Sequence, residues 1–248
     1  AEYGQLDYTQ IDLFTQPLCY TDTAMYPDKY SLSLKENVFL AKKVLVAQIH
    51  NLSRFEDCKT TLLQTEQIIN GHNVASASLS DIQTILHLKR GYQYLLQHVS
   101  DGLPVDIALL KKINGIVAQE DSLAAGEFRT GSVGVTLFDG SRHTPKPMTE
   151  AEVETLFGQI RQQSCSNTET AIRSMLAFMR NQIFWDGNKR TATLFANALM
   201  IAHGCGVLEI SEQLLPQFNE KLSDFYQSAD DGEVSMFLYQ HCIYGIEY

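Results

Sequence analysis

QIFWDGNKRTA, residues 182–192, is the stretch on which the reading of this chain turns. It joins two helical segments through a short polar loop, Asp186-Gly187-Asn188-Lys189-Arg190. Gly187 lets the backbone approach a ligand closely or take a positive φ. The N–H groups of Gly187, Asn188 and Lys189 then fall at the start of the following helix, where free amides and the helix dipole favour an anion. Asp186 is a hard oxygen ligand of the kind that holds Mg²⁺ against phosphates. Arg190 can grip a phosphate with two parallel hydrogen bonds, and Lys189 adds a point charge. Such a loop suits a nucleoside triphosphate with Mg²⁺; it also reads as a common turn followed by a basic pair opening a helix.

Outward from the loop the periodicity is helical. Leu34, Val38, Ala41, Val44, Leu45 and Ile49 form one apolar stripe, and Lys59–Asn70 ends at Gly71, a natural helix stop. Ser80 is placed to cap the next helix and Pro104 to open the one after it. Thr149 with Glu152 makes a capping box, and helices are expected near 149–164, 168–181, 188–203, 211–227 and 231–244. Residues 126–148, GEFRTGSVGVTLFDGSRHTPKPM, alternate small and β-branched residues around Asp139-Gly140, which predicts a hairpin or flap. The Met175, Phe178 and Met179 cluster reads as core.

Composition narrows the classes. The 248 residues carry 29 acidic and 19 basic side chains, a net charge of −10, which argues against a broad nucleic-acid surface. No apolar run is long enough to span a bilayer. The N-terminus shows neither the basic start nor the apolar stretch of a secretion signal, so a cytoplasmic location is expected. Cys19, Cys58, Cys165, Cys205 and Cys242 are scattered without a CxxC pair and are expected as reduced thiols.

The loop, with Phe184 two residues before Asp186, resembles the signature HPFxxGNxR of the Fic (filamentation induced by cAMP) domain family, and Gly126-Glu127-Phe128-Arg129 resembles the start of the Fic flap. The resemblance implies an all-α, mainly helical fold with a β-hairpin flap. It divides the chain into an N-terminal segment and helical extension, 1–58, and a Fic-like domain, 59–248, with flap 126–148 and signature loop 182–190. It implies Mg²⁺-dependent transfer of AMP from ATP to a Ser, Thr or Tyr hydroxyl of a protein. By that resemblance Asp186 is the metal ligand and Gly187 and Asn188 the α-phosphate cradle. Arg190 holds the β- and γ-phosphates and Phe184 anchors the loop, while Lys189 departs from the pattern and counts as cofactor-binding through its charge alone. Val133, Gly134, Val135, Thr136 and Leu137 would dock a target segment by strand addition. ATP and a protein target are the expected partners, with no nucleic acid and no membrane; the oligomeric state is not legible.

The departures shape the reading as much as the matches. The family's general-base histidine is Gln182 here, and an amide carries no proton at useful pH, so activity is expected to be impaired. A non-catalytic nucleotide-binding or protein-interaction module is the alternative; Lys189, which resembles the Doc branch, leaves a Doc-like protein phosphotransferase as a second. His143, at the flap's end, is the one histidine placed to approach the loop. The family's inhibitory helix, whose glutamate pairs with the phosphate-binding arginine, resembles TEQIING (Thr65–Gly71), but the glutamate position is Ile69. Self-inhibition of that kind is therefore expected to be absent. A second arginine is replaced by Thr193.

Overall fold

Ten α-helices, one 3-10 turn and two small two-stranded antiparallel sheets make up the regular structure among the described residues, 25–246 of the chain, in the computed structural model. The N-terminal stripe breaks at Val44 into α1 (Leu34–Lys43) and α2 (Leu45–Ser53), followed by a 3-10 turn at Arg54–Glu56. Ser33 starts α1 with a full capping box, its backbone N–H donating to the Glu36 carboxylate at 2.7 Å. α3 (Leu62–Ile69) stops before Gly71, whose φ of 82° would strain any side chain. α4 (Leu79–Ser100) is capped by Ser78 rather than Ser80, because Ser78 has Asp81 three residues on: the hydroxyl accepts from the Asp81 amide and donates to its carboxylate. α5 (Ile107–Val117) opens at Asp106 rather than Pro104, since the Asp106 carboxylate accepts from the Leu109 amide at 3.0 Å.

The predicted hairpin forms with only two residues in each strand, β1 (Val135–Thr136) and β2 (Arg142–His143), antiparallel with Val135 opposite His143. α6 (Glu150–Gln163) begins at the predicted Thr149–Glu152 box. α7 (Asn167–Asn181) and α8 (Asn188–Ala202) flank the signature loop. A two-stranded antiparallel pair, β3 (Val207–Leu208) with β4 (Ile243–Tyr244), brackets α9 (Leu215–Ser228) and α10 (Gly232–His241). It ends the last helix short of the expected residue 244, and two-residue strands carry too little alternation to be read from sequence.

α8 is the axis of the fold. Every residue from Arg190 to Ile201 is buried, the mark of a helix packed on all sides. One face packs on α7 and joins a cluster that also draws on α6, α9 and α10, where Phe157, Phe178 and Phe195 meet with ring centroids 5.4–6.2 Å apart. The other face, through Leu194, Ala198 and Ile201, meets a cluster built from α1–α5. Truncating Phe195 to alanine would cost about 3–5 kcal/mol on the usual scale for a buried phenylalanine. The loop at the head of α8 is therefore mounted on a helix buried along nearly its whole length. No described helix is long and apolar enough to cross a membrane.

The expectation of uniformly reduced thiols does not hold. Cys58, Cys205 and Cys242 are buried free thiols, but Cys165 is disulfide-bonded; Cys19 lies outside the described residues, as does most of the mixed segment before Ser31. Burial pushes the Cys205 and Cys242 thiols up to about 12, so neither is reactive at neutral pH.

Candidate functional site

Gln182 closes α7 in the left-handed region, at φ 44° and ψ 55°. Its carboxamide is spent locally: the nitrogen donates to the Met179 carbonyl at 2.6 Å and the oxygen accepts from Asn188 Nδ2 at 3.3 Å. Asn188 also clasps Phe184, accepting from its N–H at 2.9 Å and donating to its carbonyl at 3.0 Å. The loop's shape thus comes from one asparagine folding back across six residues. Phe184 is buried as expected and stacks on Phe128, ring centroids 5.0 Å apart, where the two residues form an isolated antiparallel bridge. Trp185 packs against the flap, where a Cβ at Gly131 would meet its ring at 2.6 Å.

Gly187 is required on two counts. Its φ is 70°, and a Cβ there would lie 2.8 Å from the Ala118 methyl. Behind it stands Asn114 of α5, a residue the sequence reading passed over. The Asn114 amide donates to the Asp186 carbonyl at 2.9 Å and to Thr191 Oγ1 at 3.1 Å, and its oxygen accepts from the Gly126 N–H at 2.9 Å. A polar residue on the apolar face of ALLKKINGIV was the only signal.

The anion end of the loop is built but occupied from within. No side chain caps α8, so its first-turn amides after Gly187 remain for a ligand or water. The Gly187 N–H itself is covered by the Asp186 carboxylate. Arg190 is wholly buried and surrounded: Nε lies 2.7 Å from Glu56, close but not aligned as a hydrogen bond. Nη1 donates to the Val117 carbonyl at 2.8 Å, and Nη2 donates to Asp121 at 3.1 Å with Asp186 at 3.6 Å. Burial raises the Glu56 carboxyl, Arg190 opposes that rise, and Asp186 and Asp121 add to it.

α3 brings no carboxylate to Arg190, in keeping with Ile69 at the position of the family's glutamate. Ile69 of α3 packs into the core and Glu66 stays exposed, but a carboxylate does reach the arginine, from the 3-10 turn after α2.

Lys189 turns toward α9, with Nζ 3.5 Å from Asn219 Oδ1 and 5.6 Å from the centre of the Phe55 ring. It has no ion-pair partner within 4 Å among the described residues, and burial lowers its pKa against the pull of Glu56 and Asp57. It lines a cavity of about 230 Å³ between the flap and α9, walled by Val135, Leu137, Asn219, Leu222 and Tyr226. The Tyr226 hydroxyl there is buried; burial raises it, with the Gln182 side chain beside it and Arg180 opposing. A larger cavity of about 610 Å³, bounded by Asp28, Asp106, Arg161 and His203, contains none of the loop residues.

The flap closes this cavity at its tip. The Phe138 N–H donates to Ser223 Oγ at 2.9 Å, and Gln227 donates to the Asp139 carboxylate at 2.9 Å, both from α9. Of the five expected docking residues, only Val135 and Thr136 are in strand; Leu137 spends its N–H on the Ser141 carbonyl, while Gly134 is hemmed in by Arg142 and Thr144 and Val133 lies just outside the hairpin. His143 bonds the Arg180 carbonyl at 2.9 Å and packs on Tyr226, so its Nε2 is already engaged.

The Fic/DOC family model matches residues 104–200, from just before α5 to the last turn of α8. No curated protein matches the sequence. Among solved structures, a Fic domain-containing signalling protein from Bacteroides thetaiotaomicron superposes with a TM-score of 0.69 at 17% identity, over 84% of this chain and 86% of that one. Fic-1 (residues 134–508) from C. elegans gives 0.67 at 16% identity, over 82% of this chain and 62% of that one. A Fic family protein from Desulfovibrio desulfuricans gives 0.60 at 16%, over 84% and 62%. The chain thus spans less than two thirds of the last two, and at these identities the likeness shows the fold.

Proposed function

Because residues 104–200 match the Fic/DOC family model and the fold is that of Fic domain proteins, we propose that the chain binds Mg·ATP at the head of α8 and transfers AMP slowly to a protein hydroxyl presented at the flap. The observation that carries this is Lys189: a half-buried ammonium with no ion-pair partner among the described residues, beside uncapped helix amides, on the wall of a cavity. A cation left unpaired in an acidic protein suits an anionic ligand. The adenine fits the cavity, whose Val135, Leu137 and Leu222 walls are apolar and whose Asn219 amide offers a polar contact. The phosphates then lie over Lys189 and the amides of α8, within reach of Arg190 once its carboxylates withdraw.

Magnesium suits the donor set in one way only. Among the described residues no group of three or more His, Cys, Asp or Glu can hold a metal alone. Asp186, half-exposed at the loop's rim, would supply one carboxylate oxygen and the phosphates the rest, a common arrangement for this ion. Bound there, magnesium would offset negative charge on the phosphates.

Two features set the rate. Glu56 holds the arginine the phosphates need, so nucleotide competes with an internal carboxylate. Gln182 occupies the base position with an amide already committed to Met179 and Asn188, and loss of a general base typically costs about 10²–10⁴-fold. The full occupancy of Arg190 also favours a second reading, a non-catalytic module in which the arginine is structural. Calorimetric titration with Mg·ATP separates them: binding abolished by Arg190→Ala supports the nucleotide site, and no heat at millimolar ATP, in the parent or in Glu56→Gln, supports the module.

A further inference from the structure

We propose that Arg129 is a positioning residue that fixes the flap to the signature loop, so that the cavity wall and the anion end of α8 move as one body. Arg129 is 1% exposed, and no carboxylate lies within ion-pair distance of it among the described residues. Its guanidinium donates instead to main-chain carbonyls of three separate stretches. One is Gly131, at 2.6 Å, where the flap begins. The second is Pro145 and Lys146, at 2.7 and 3.0 Å, where the flap ends. The third is Asn181, at 3.2 Å, and Gln182, where α7 gives way to the loop. The Arg129 backbone adds an N–H bond to the Ile183 carbonyl at 3.0 Å, beside the Phe128–Phe184 bridge.

The chemistry of the side chain explains the choice. The last carbonyls of a helix have no partner within it, and the negative end of the α7 dipole lies there, so a cation is favoured. Only a planar group with five donors can face three chain segments at once; a lysine ammonium has three donors on one atom. A residue serving only to fill space would be apolar, because burying a charge without a counter-charge is costly unless hydrogen bonds replace its water. Here they do, and both flap ends are drawn onto the loop. The cavity wall at Val135 and Leu137 belongs to that flap, whereas Lys189 belongs to the loop side. A displacement of the flap would therefore open the cavity and misplace anything docked on it.

The inference rests on the reading that flap and loop serve one site, but it does not need nucleotide transfer. It is tested by hydrogen–deuterium exchange on the full chain, comparing the parent with Arg129→Met and Arg129→Lys. In Arg129→Met, amides of 131–146 should exchange about tenfold or more faster, while α4 and the central turns of α8 keep their protection, the pattern of a local opening. Arg129→Lys should fall between, since its ammonium can replace some of the bonds, and it decides the matter if the methionine variant does not fold. Adding Mg·ATP should protect loop and flap together in the parent and the loop alone in Arg129→Met. Unchanged flap exchange in both variants, or acceleration spread evenly over the chain, overturns the proposal. If the parent binds no nucleotide, the nucleotide reading fails, and the ligand-free comparison still decides the role of Arg129.

Discussion

Two arginines are buried completely beside the same loop, and opposite kinds of partner hold them. Arg129 is held by main-chain carbonyls of the flap and of α7. Arg190 is held by one carbonyl and three carboxylates, two of which, Glu56 and Asp121, come from segments distant in sequence. Carbonyls are neutral, fixed in the chain and cannot leave; carboxylates carry the same sign as a phosphate and can be exchanged for one. The first arrangement makes a joint and the second an occupied socket. That difference separates the part of the site that sets geometry from the part that sets affinity.

The largest effect that would sharpen this contrast lies between the two, at Gln182. Gln182→His in a Glu56→Gln background should raise labelled-AMP transfer to protein by about 10²–10⁴-fold, the usual contribution of a general base. No labelling in either protein would leave the socket without a reaction. Arg190→Ala should weaken Mg·ATP by about 100-fold, close to 2.7 kcal/mol, measured by calorimetry with circular dichroism as the check on folding. Equal affinity in the variant would mean that phosphates never reach the socket. Asp121→Asn should tighten binding only about threefold, because Asp121 is 42% exposed and water screens its hold. An effect as large as that of Glu56→Gln would make Asp121 the principal competitor.

Acidity offers a graded test of the same socket. Burial raises the Glu56 carboxyl, so on acidification it takes up a proton before an ordinary glutamate would. Its hold on Arg190 is therefore present above that raised value and lost as pH falls through it. Nucleotide affinity of the parent should rise as pH falls toward the carboxylate range, relative to Glu56→Gln measured in the same buffers. Parallel pH profiles would show that Glu56 is not the competitor.

The loop itself was legible because its chemistry is local. Asp186, Gly187, Asn188, Lys189 and Arg190 are contiguous, and Gly187 has the positive φ that the turn requires. Phe184 and the Thr149–Glu152 box were likewise readable from spacing of a few residues. What sequence could not supply were partners brought in by the fold. Glu56 lies in a three-residue turn 134 positions before Arg190, and no periodicity marks it. Asn114 and Arg129 act mostly through backbone groups, which leave no residue-type signature at the other end of the contact. Ser78 won over Ser80 because the capping bond depends on which serine has an aspartate three residues on. The Cys165 disulfide was illegible because spacing alone pairs no cysteines.

The most direct test of an occupied socket is calorimetric titration of the parent and of Glu56→Gln with Mg·ATP at neutral pH. If the carboxylate holds Arg190 about nine-tenths of the time, removing its charge should tighten apparent affinity about tenfold, since apparent affinity scales with the competent fraction. Equal affinities, or no binding by either protein at millimolar nucleotide, would contradict the account and leave Arg190, like Arg129, a joint in the fold.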